Sequence, residues 1–318
     1  MLRWNHHLQK KEKKNEPRTL EYPYLGLSSG PFLDSSFPKG NMRCQILRSM
    51  SKWSGGVETE RSIQNAYIHL IEHAEHYIYV ENQYFISVEN SLTETLFQRI
   101  SRAIRLKETF RVFILIPLHP CGDWRNNSIL FVMKWQYDTI SRGGKSILER
   151  LAAAYPTVDI SQYISFFSLR NVAELNYTCV SDQVYIHSKL MIVDDRQVII
   201  GSANWNDRSM NGDRDSEIAI LVEDNRYVES CMNGQFFLAS QFAITLRKSL
   251  FLEHLGLPRE QESTIQDPTV HSTYNTIWKA TAFENLHHYT TMFPTAISNN
   301  FATMAVSAAP SYQPFGFA

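Results

Sequence analysis

Cysteine is scarce: Cys44, Cys121, Cys179 and Cys231 make up the whole complement, far apart and with no Cys-x-x-Cys pair. That spacing excludes a paired-cysteine zinc cluster and a disulfide-stapled framework, and reads as four reduced, mostly buried thiols. Net charge is nearly absent as well, with Lys+Arg 31 against Asp+Glu 32 and a formal charge of −1. A chain so balanced exerts no overall pull on nucleic acid or anionic lipid, so either partner must be held by a local patch. No apolar run reaches the roughly eighteen residues that a transmembrane helix needs. The opening Met1-Leu2-Arg3-Trp4-Asn5-His6-His7 has no apolar signal-peptide core, and no internal repeat is found.

What is present suits a globular protein. Of 318 residues, 43% are hydrophobic, 12% aromatic and 20% charged, which is enough apolar surface to bury a large core and too much for general disorder. Residues 1–40 read as an irregular lead-in, with a basic run at 10–14 followed by Pro17, Pro23, Pro31 and Pro38. The basic run reads as a solvated segment; against an anionic membrane each basic residue contributes about 1 kcal/mol. Residues 41–290 read as the structured body, and 291–318 as a flexible tail.

Within the body, Ile63, Ala66, Tyr67, Leu70, Ile71 and Ala74 recur at helical spacing, which predicts a helix over 62–76. A short buried strand follows at 77–80, leading into Glu81-Asn82-Gln83. Further helices are expected at 92–106, over 124–151 with a break at Gly143-Gly144, and as one long element over 227–246. Further strands are expected at 111–116, 164–169, 189–193, 198–200 and 218–222. Polar Asp194-Asp195-Arg196-Gln197 suits a turn between the fourth and fifth of these six strands. Alternating strands and helices predict an α/β fold, a layered mixed sheet flanked by helices, with chemistry on loops at strand ends.

The informative stretch is His187-Ser188-Lys189 with Asp194, followed by Gly201-Ser202-Ala203-Asn204. Residues two apart on a strand share a face, so His187 and Lys189 project together, and Ser202 and Asn204 do so on the returning chain. An imidazole, an ammonium, a hydroxyl and a carboxamide in one pocket suit a phosphodiester. Lysine, serine and asparagine supply donors to phosphoryl oxygens, and histidine moves a proton or attacks phosphorus near neutral pH. No carboxylate cluster surrounds the histidine, so no metal site is read here. His69, His73 and His76 have helical spacing but no His-Glu-x-x-His arrangement, and they too are not read as ligands. At ~5% usage per position, chance delivers the six-position pattern on the order of once in 10⁵ chains.

The pattern His-x-Lys-x₄-Asp-x₆-Gly-Ser-x-Asn resembles the signature of the phospholipase D superfamily. Three flanking stretches resemble the eukaryotic phosphatidylcholine-hydrolysing branch: Tyr79-Val80-Glu81-Asn82-Gln83-Tyr84-Phe85, Arg48-Ser49-x-Ser51-x-Trp53-Ser54, and 206–217 with Asn206-Asp207-Arg208-Ser209-Met210 and Arg214-Asp215-Ser216-Glu217. The resemblance extends from about 3 to 278. It implies one half of a pseudo-twofold fold in which each half carries one motif. One histidine forms a phosphohistidine; the other protonates the leaving alcohol and then activates water, with no metal or other cofactor. The copy here resembles the second, which makes His187 the general acid/base. Lys189 and Asn204 then bind phosphoryl oxygens, Ser202 supports them, and Glu217 hydrogen-bonds the imidazole. Asp194 belongs to the same catalytic motif, and its place at a strand turn reads as a carboxylate holding that turn. Glu81 and Asn82 are expected to line the pocket in support.

None of His6, His7, His69, His73, His76, His119, His254, His271, His287 and His288 has a lysine two residues on. The chain is therefore expected to be the carboxy-terminal half of a phospholipase D. Its expected partners are a phosphatidylcholine membrane surface and either the missing amino-terminal half-site or a second copy of the chain. A cytoplasmic protein peripherally associated with membranes is the expected setting. Two alternatives stay open: a single-motif homodimeric phosphodiesterase or nuclease, and a catalytically silent lipid-binding fragment. Near-zero net charge and the lack of a basic stripe argue against nucleic acid. Trp53, Trp124, Trp135 and Trp205 read as core or lip residues. Trp205 also lies close enough to Asn204 for a cation–π contact with a quaternary ammonium. Arg208 and Arg214 suit either an anionic substrate or surface pairing.

Overall fold

The run Tyr77-Ile78-Tyr79-Val80 offers no charged side chain to solvent on either face, which is the pattern of a strand covered on both sides. In the computed structural model, which describes residues 42–122 and 127–292, all four side chains are buried. Ile78 and Val80 join one apolar cluster while Tyr77 and Tyr79 join another. The two clusters are the two core layers on either side of a single sheet.

In chain order the elements are β1 (Met42–Met50), a single turn α1 (Lys52–Gly55), β2 (Glu60–Arg61), α2 (Ser62–His73) and β3 (Tyr77–Glu81). Then come α3 (Leu92–Leu106), β4 (Arg111–Leu115), α4 (Asn127–Ile140), α5 (Ile147–Ala154) and β5 (Ile164–Phe167). A hairpin of β6 (Leu169–Leu175) and β7 (Thr178–Val184) precedes β8 (Leu190–Val193), β9 (Gln197–Gly201), the one-turn α6 (Asp207–Met210) and β10 (Glu217–Asp224). Last are β11 (Tyr227–Met232), β12 (Gln235–Ser240), α7 (Gln241–Leu255) and α8 (Ala280–Met292). The main sheet has the order β2-β1-β10-β9-β8-β3-β4-β5. Its neighbours run antiparallel except β3 with β4 and β4 with β5, which are parallel. Helices α2, α3 and α5 contribute to the core layer that holds Ile78; α7, the π-helical turn Ser272–Lys279 and α8 contribute to the layer that holds Tyr79. This is the layered mixed α/β sheet that the sequence predicts.

Two expectations need correction. The long helix over 227–246 does not form: β11 and β12 pair as a hairpin about Asn233-Gly234, and the helix begins only at Gln241. Both turn residues have positive φ, 54° and 72°, as the Asn-Gly type I′ turn requires. The thiols are free but not mostly buried. Cys44, Cys121 and Cys179 are exposed and Cys231 is half-buried; Cys44 lies in the exposed amino-terminal half of β1, Cys179 on the exposed strand β7, and Cys121 in the loop after β4. The lead-in over 1–40, most of the tail over 291–318 and Trp124 lie outside the described residues.

The turn between β8 and β9 is anchored in two directions. Asp194 and Asp195 both take left-handed backbone (φ 52° and 51°), and Arg196 N closes the turn on the Val193 carbonyl at 2.9 Å. Aspartate tolerates this region better than most residues because its short side chain bonds locally. The Asp194 carboxylate accepts the backbone N–H groups of Glu75, His76 and Tyr77 at 2.7, 2.8 and 2.8 Å, capping the corner between α2 and β3. Asp195 turns the other way and accepts Arg247 Nη2 at 2.6 Å, Arg247 Nε at 3.0 Å and the Tyr77 hydroxyl at 2.6 Å. Both members of the Asp195–Arg247 pair are 0% exposed. The guanidinium also donates to the carbonyls of Ile265 and Gln266.

Removing one partner of a buried pair leaves an uncompensated charge. Arg247→Met is expected to lower the unfolding free energy by about 3–5 kcal/mol in chemical denaturation. Adding Asp195→Asn should recover part of that loss, since no charge is then left unpaired. A single variant as stable as the parent would show that the pair does not hold the turn.

Candidate functional site

Antiparallel pairing brings the relevant strand ends together. Glu81 at the end of β3 lies opposite Leu190 at the start of β8, Leu190 lies opposite Ile200, and Gly201 lies opposite Ala219 near the start of β10. The segments 81–83, 187–189, 201–204 and the start of β10 at Glu217 therefore share one end of the sheet.

Lys189 is only 6% exposed. Its Nζ donates to Gln83 Oε1 at 3.2 Å and to the His187 carbonyl at 2.5 Å. An ammonium has three N–H groups, so one remains without a protein acceptor among the described residues. Burial pulls the Lys189 pKa down, and the charge of Glu217 opposes it. The His187 ring is exposed and lies 6.4 Å from the Tyr185 ring at an interplanar angle of 25°. Among the described residues its ring nitrogens make no hydrogen bond. Strand β8 begins at Leu190, so both residues sit in the irregular approach to the strand rather than within it.

On the returning chain, Gly201 is required by close contact. A Cβ there would lie 2.4 Å from the Ile218 carbonyl oxygen and 2.5 Å from Ala219 Cβ. Ser202 N donates to the Ile218 carbonyl at 2.9 Å, and its hydroxyl donates to Glu217 Oε2 at 2.5 Å. The other oxygen of Glu217 accepts the Ser209 hydroxyl at 2.6 Å. Glu217 is thus held by two serines, and no hydrogen bond joins it to His187. Asn204 is half-buried, and its Oδ1 is buried without a partner among the described residues.

Asn82 braces this loop from β3. Its Oδ1 accepts Trp205 N at 2.9 Å and Tyr84 N at 3.2 Å. Trp205 is wholly buried and stacks on Phe85 with centroids 4.8 Å apart, so it anchors the loop and faces no ligand. Arg208 pairs with Asp215 at 2.8 Å on the surface. Asp194 is not at this end of the sheet. Five residues at about 3.3 Å each set it roughly 16 Å along the strand from Lys189, with its carboxylate engaged at the turn. Of the motif's nominal catalytic set it is the member that holds structure.

Glu81 lies on the sheet face of Tyr79. It accepts the Tyr79 hydroxyl at 2.6 Å, the Ser188 hydroxyl at 2.5 Å and His254 Nε2 at 3.0 Å. Neither the Ser188 nor the His254 contact has a signal in the sequence. Ser188 stands inside the motif, but nothing in the sequence links His254, 173 residues on from Glu81, to this site. Burial pushes the Glu81 carboxyl up, and hydrogen bonds from His254, Ser188 and Tyr79 outweigh it, holding the group below its ordinary 4.5. A carboxyl so lowered stabilises the fold above its ordinary value and loses that contribution as pH falls through the lowered one. Below pH 4.5, Glu81→Gln should therefore lose stability less steeply than the parent in acid-titrated denaturation. Parallel curves would show that the fold does not hold the Glu81 carboxyl below its ordinary value.

A family model described as Phospholipase D matches residues 35–301. Phospholipase D A of Dictyostelium discoideum is 47% identical over 263 residues, covering 81% of this chain and 20% of the relative. Phospholipase D zeta 2 of Arabidopsis thaliana is 45% identical over 270 residues, covering 80% of this chain and 26% of its own length. Phospholipase D1 of Homo sapiens is 40% identical over 307 residues, covering 92% and 28%. The chain spans between a fifth and just over a quarter of the length of these relatives. A family match across most of the chain, joined to identities of this size, makes it a member of the phospholipase D family of eukaryotic type.

Proposed function

We propose that this chain supplies one half-site of a phospholipase D-type phosphodiesterase that cleaves phosphatidylcholine to phosphatidate and choline. The observation that carries the reading is the convergence of His187, Lys189, Ser202 and Asn204 at one end of the sheet. There, among the described residues, Lys189 retains an uncommitted N–H and His187 a ring without a hydrogen bond. Of the 11 histidines only His187 has a lysine two residues on, so a two-histidine reaction needs a second half-site. A second copy of the chain and the other half of a longer protein are the two sources.

In this reading a histidine of the second half-site attacks phosphorus. The bond from phosphorus to the choline oxygen breaks, and that oxygen takes the proton carried by His187. Water then gives its proton to His187 while its oxygen attacks phosphorus, breaking the P–N bond and releasing phosphatidate. Lys189 and Asn204 hold the phosphoryl oxygens, where fixed donors matter most as charge builds. Ser202 supports them, its hydroxyl oriented by Glu217. Glu81 and Asn82 hold the segments that carry these groups. Among the described residues no helix is long and apolar enough to cross a membrane, and we take contact with the lipid as peripheral, from the cytoplasm.

The test is choline release from phosphatidylcholine vesicles with a primary alcohol present, so that the phosphatidylalcohol is measured alongside. The chain is assayed alone over a range of concentrations and with the remainder of the Dictyostelium relative. His187→Ala is expected to lower turnover about 10²–10⁴-fold, and Lys189→Ala about 10²–10³-fold. Turnover unchanged in His187→Ala, or a preference for a nucleic-acid diester, would overturn the reading.

A further inference from the structure

His254 stands outside every motif, yet it reaches the site from behind. It occupies the last turn of α7, with Nε2 3.0 Å from Glu81 Oε1, and the two side chains are 9% and 8% exposed. An ionised carboxylate only accepts, and Glu81 is held below its ordinary range by its donors, burial notwithstanding. At neutral pH the proton in the contact therefore sits on His254 Nε2. The second oxygen of Glu81 takes the hydroxyl of Ser188, the residue between His187 and Lys189.

This short segment is pinned at few points. Lys189 Nζ closes back on the His187 carbonyl, the Lys189 carbonyl accepts Gly201 N at 3.1 Å, and the Ser188 hydroxyl is tied to Glu81. With no described hydrogen bond on the His187 ring, the backbone beneath it sets where the ring points. We propose that His254 is a positioning residue for the phosphodiester site, acting through Glu81 and Ser188 on the backbone from which His187 and Lys189 reach substrate. The inference rests on the reading of those two residues given above.

Without the His254 donor, a buried carboxylate loses a charge-assisted bond and must take up a proton or turn away. Either change weakens the bond from the Ser188 hydroxyl, because a neutral carboxyl accepts less strongly and a turned one moves its oxygen away. His254→Leu keeps apolar bulk and removes the donor, whereas His254→Gln keeps an N–H. The test is amide exchange in the full chain, followed by NMR at Gly201, with Ser240 as control. The Ser240 N–H donates to the Asp195 carbonyl at 2.8 Å, at the far end of the sheet. His254→Leu should speed exchange at Gly201 about tenfold and leave Ser240 within about twofold, with His254→Gln near the parent at both amides. On phosphatidylcholine vesicles, with the remainder of the Dictyostelium relative present, His254→Leu should lower kcat about tenfold with KM held within about twofold, and His254→Gln should restore it.

Equal behaviour of the Leu and Gln variants, or an equal rise at both amides, would overturn the proposal. Should His254→Leu fail to fold, Ser188→Ala takes its place, and parent-like exchange at Gly201 in that variant would overturn it too. A parent without turnover even beside the remainder of the Dictyostelium relative counts against the proposed function, and the exchange comparison then decides the positioning role by itself.

Discussion

The turn at Asp194-Asp195 is the constraint on which the rest of the molecule depends. Two neighbouring carboxylates, both on left-handed backbone, point to opposite sides of the sheet. One collects three N–H groups at the corner between α2 and β3; the other pairs with Arg247 on α7. Each core layer thereby grips the same turn. A one-residue slip in a β pair exchanges its two faces. Here a slip would tear both carboxylates from their partners and put Met191 and Ile192 into each other's core layer.

That grip explains why a motif with its chemistry at one end of a hairpin also fixes a residue at the other. The four residues between Lys189 and Asp194 are the four of β8, and the six between Asp194 and Gly201 are the remaining turn residues and β9 up to Ile200. The spacing measures strand length. It delivers the Gly201 N–H to the Lys189 carbonyl and sets Ser202 beside Ile218. Gly201 is part of the same measurement, because any side chain there would meet the backbone of β10.

Much of this was legible because it is local. The helix over 92–106 has its apolar residues in register and ends at Lys107, which adopts φ 57°. The strand at 77–80 and the turn at 194–197 follow from composition alone. The hairpin over 227–240 was also signalled, by Asn233-Gly234, but apolar residues on either side of that dipeptide imitate a helical stripe. The protruding β6–β7 hairpin carries little periodicity because most of its side chains face solvent. In the site, the motif identifies the chemical groups and says nothing of what holds them. The bonds from Glu81 to Ser188 and His254 span 107 and 173 residues, and no local pattern encodes a contact that the fold alone creates.

The distribution of charge then bears on what the site accepts. Every carboxylate close to the motif already has its donors: Glu217 has Ser202 and Ser209, Glu81 has Tyr79, Ser188 and His254, and Asp194 and Asp195 are occupied at the turn. Hydroxyls and the His254 imidazole meet the acidic groups at the site, and among the described residues no direct ion pair neutralises the ammonium of Lys189. Its described acceptors are a side-chain amide and a backbone carbonyl, both uncharged. A buried cation with only neutral partners gains most from an anionic ligand. A phosphodiester supplies that charge on oxygens that can also take the amide of Asn204. The hydrogen bonds that keep Glu81 and Glu217 engaged elsewhere are therefore part of what suits Lys189 to the anion-binding role proposed for it.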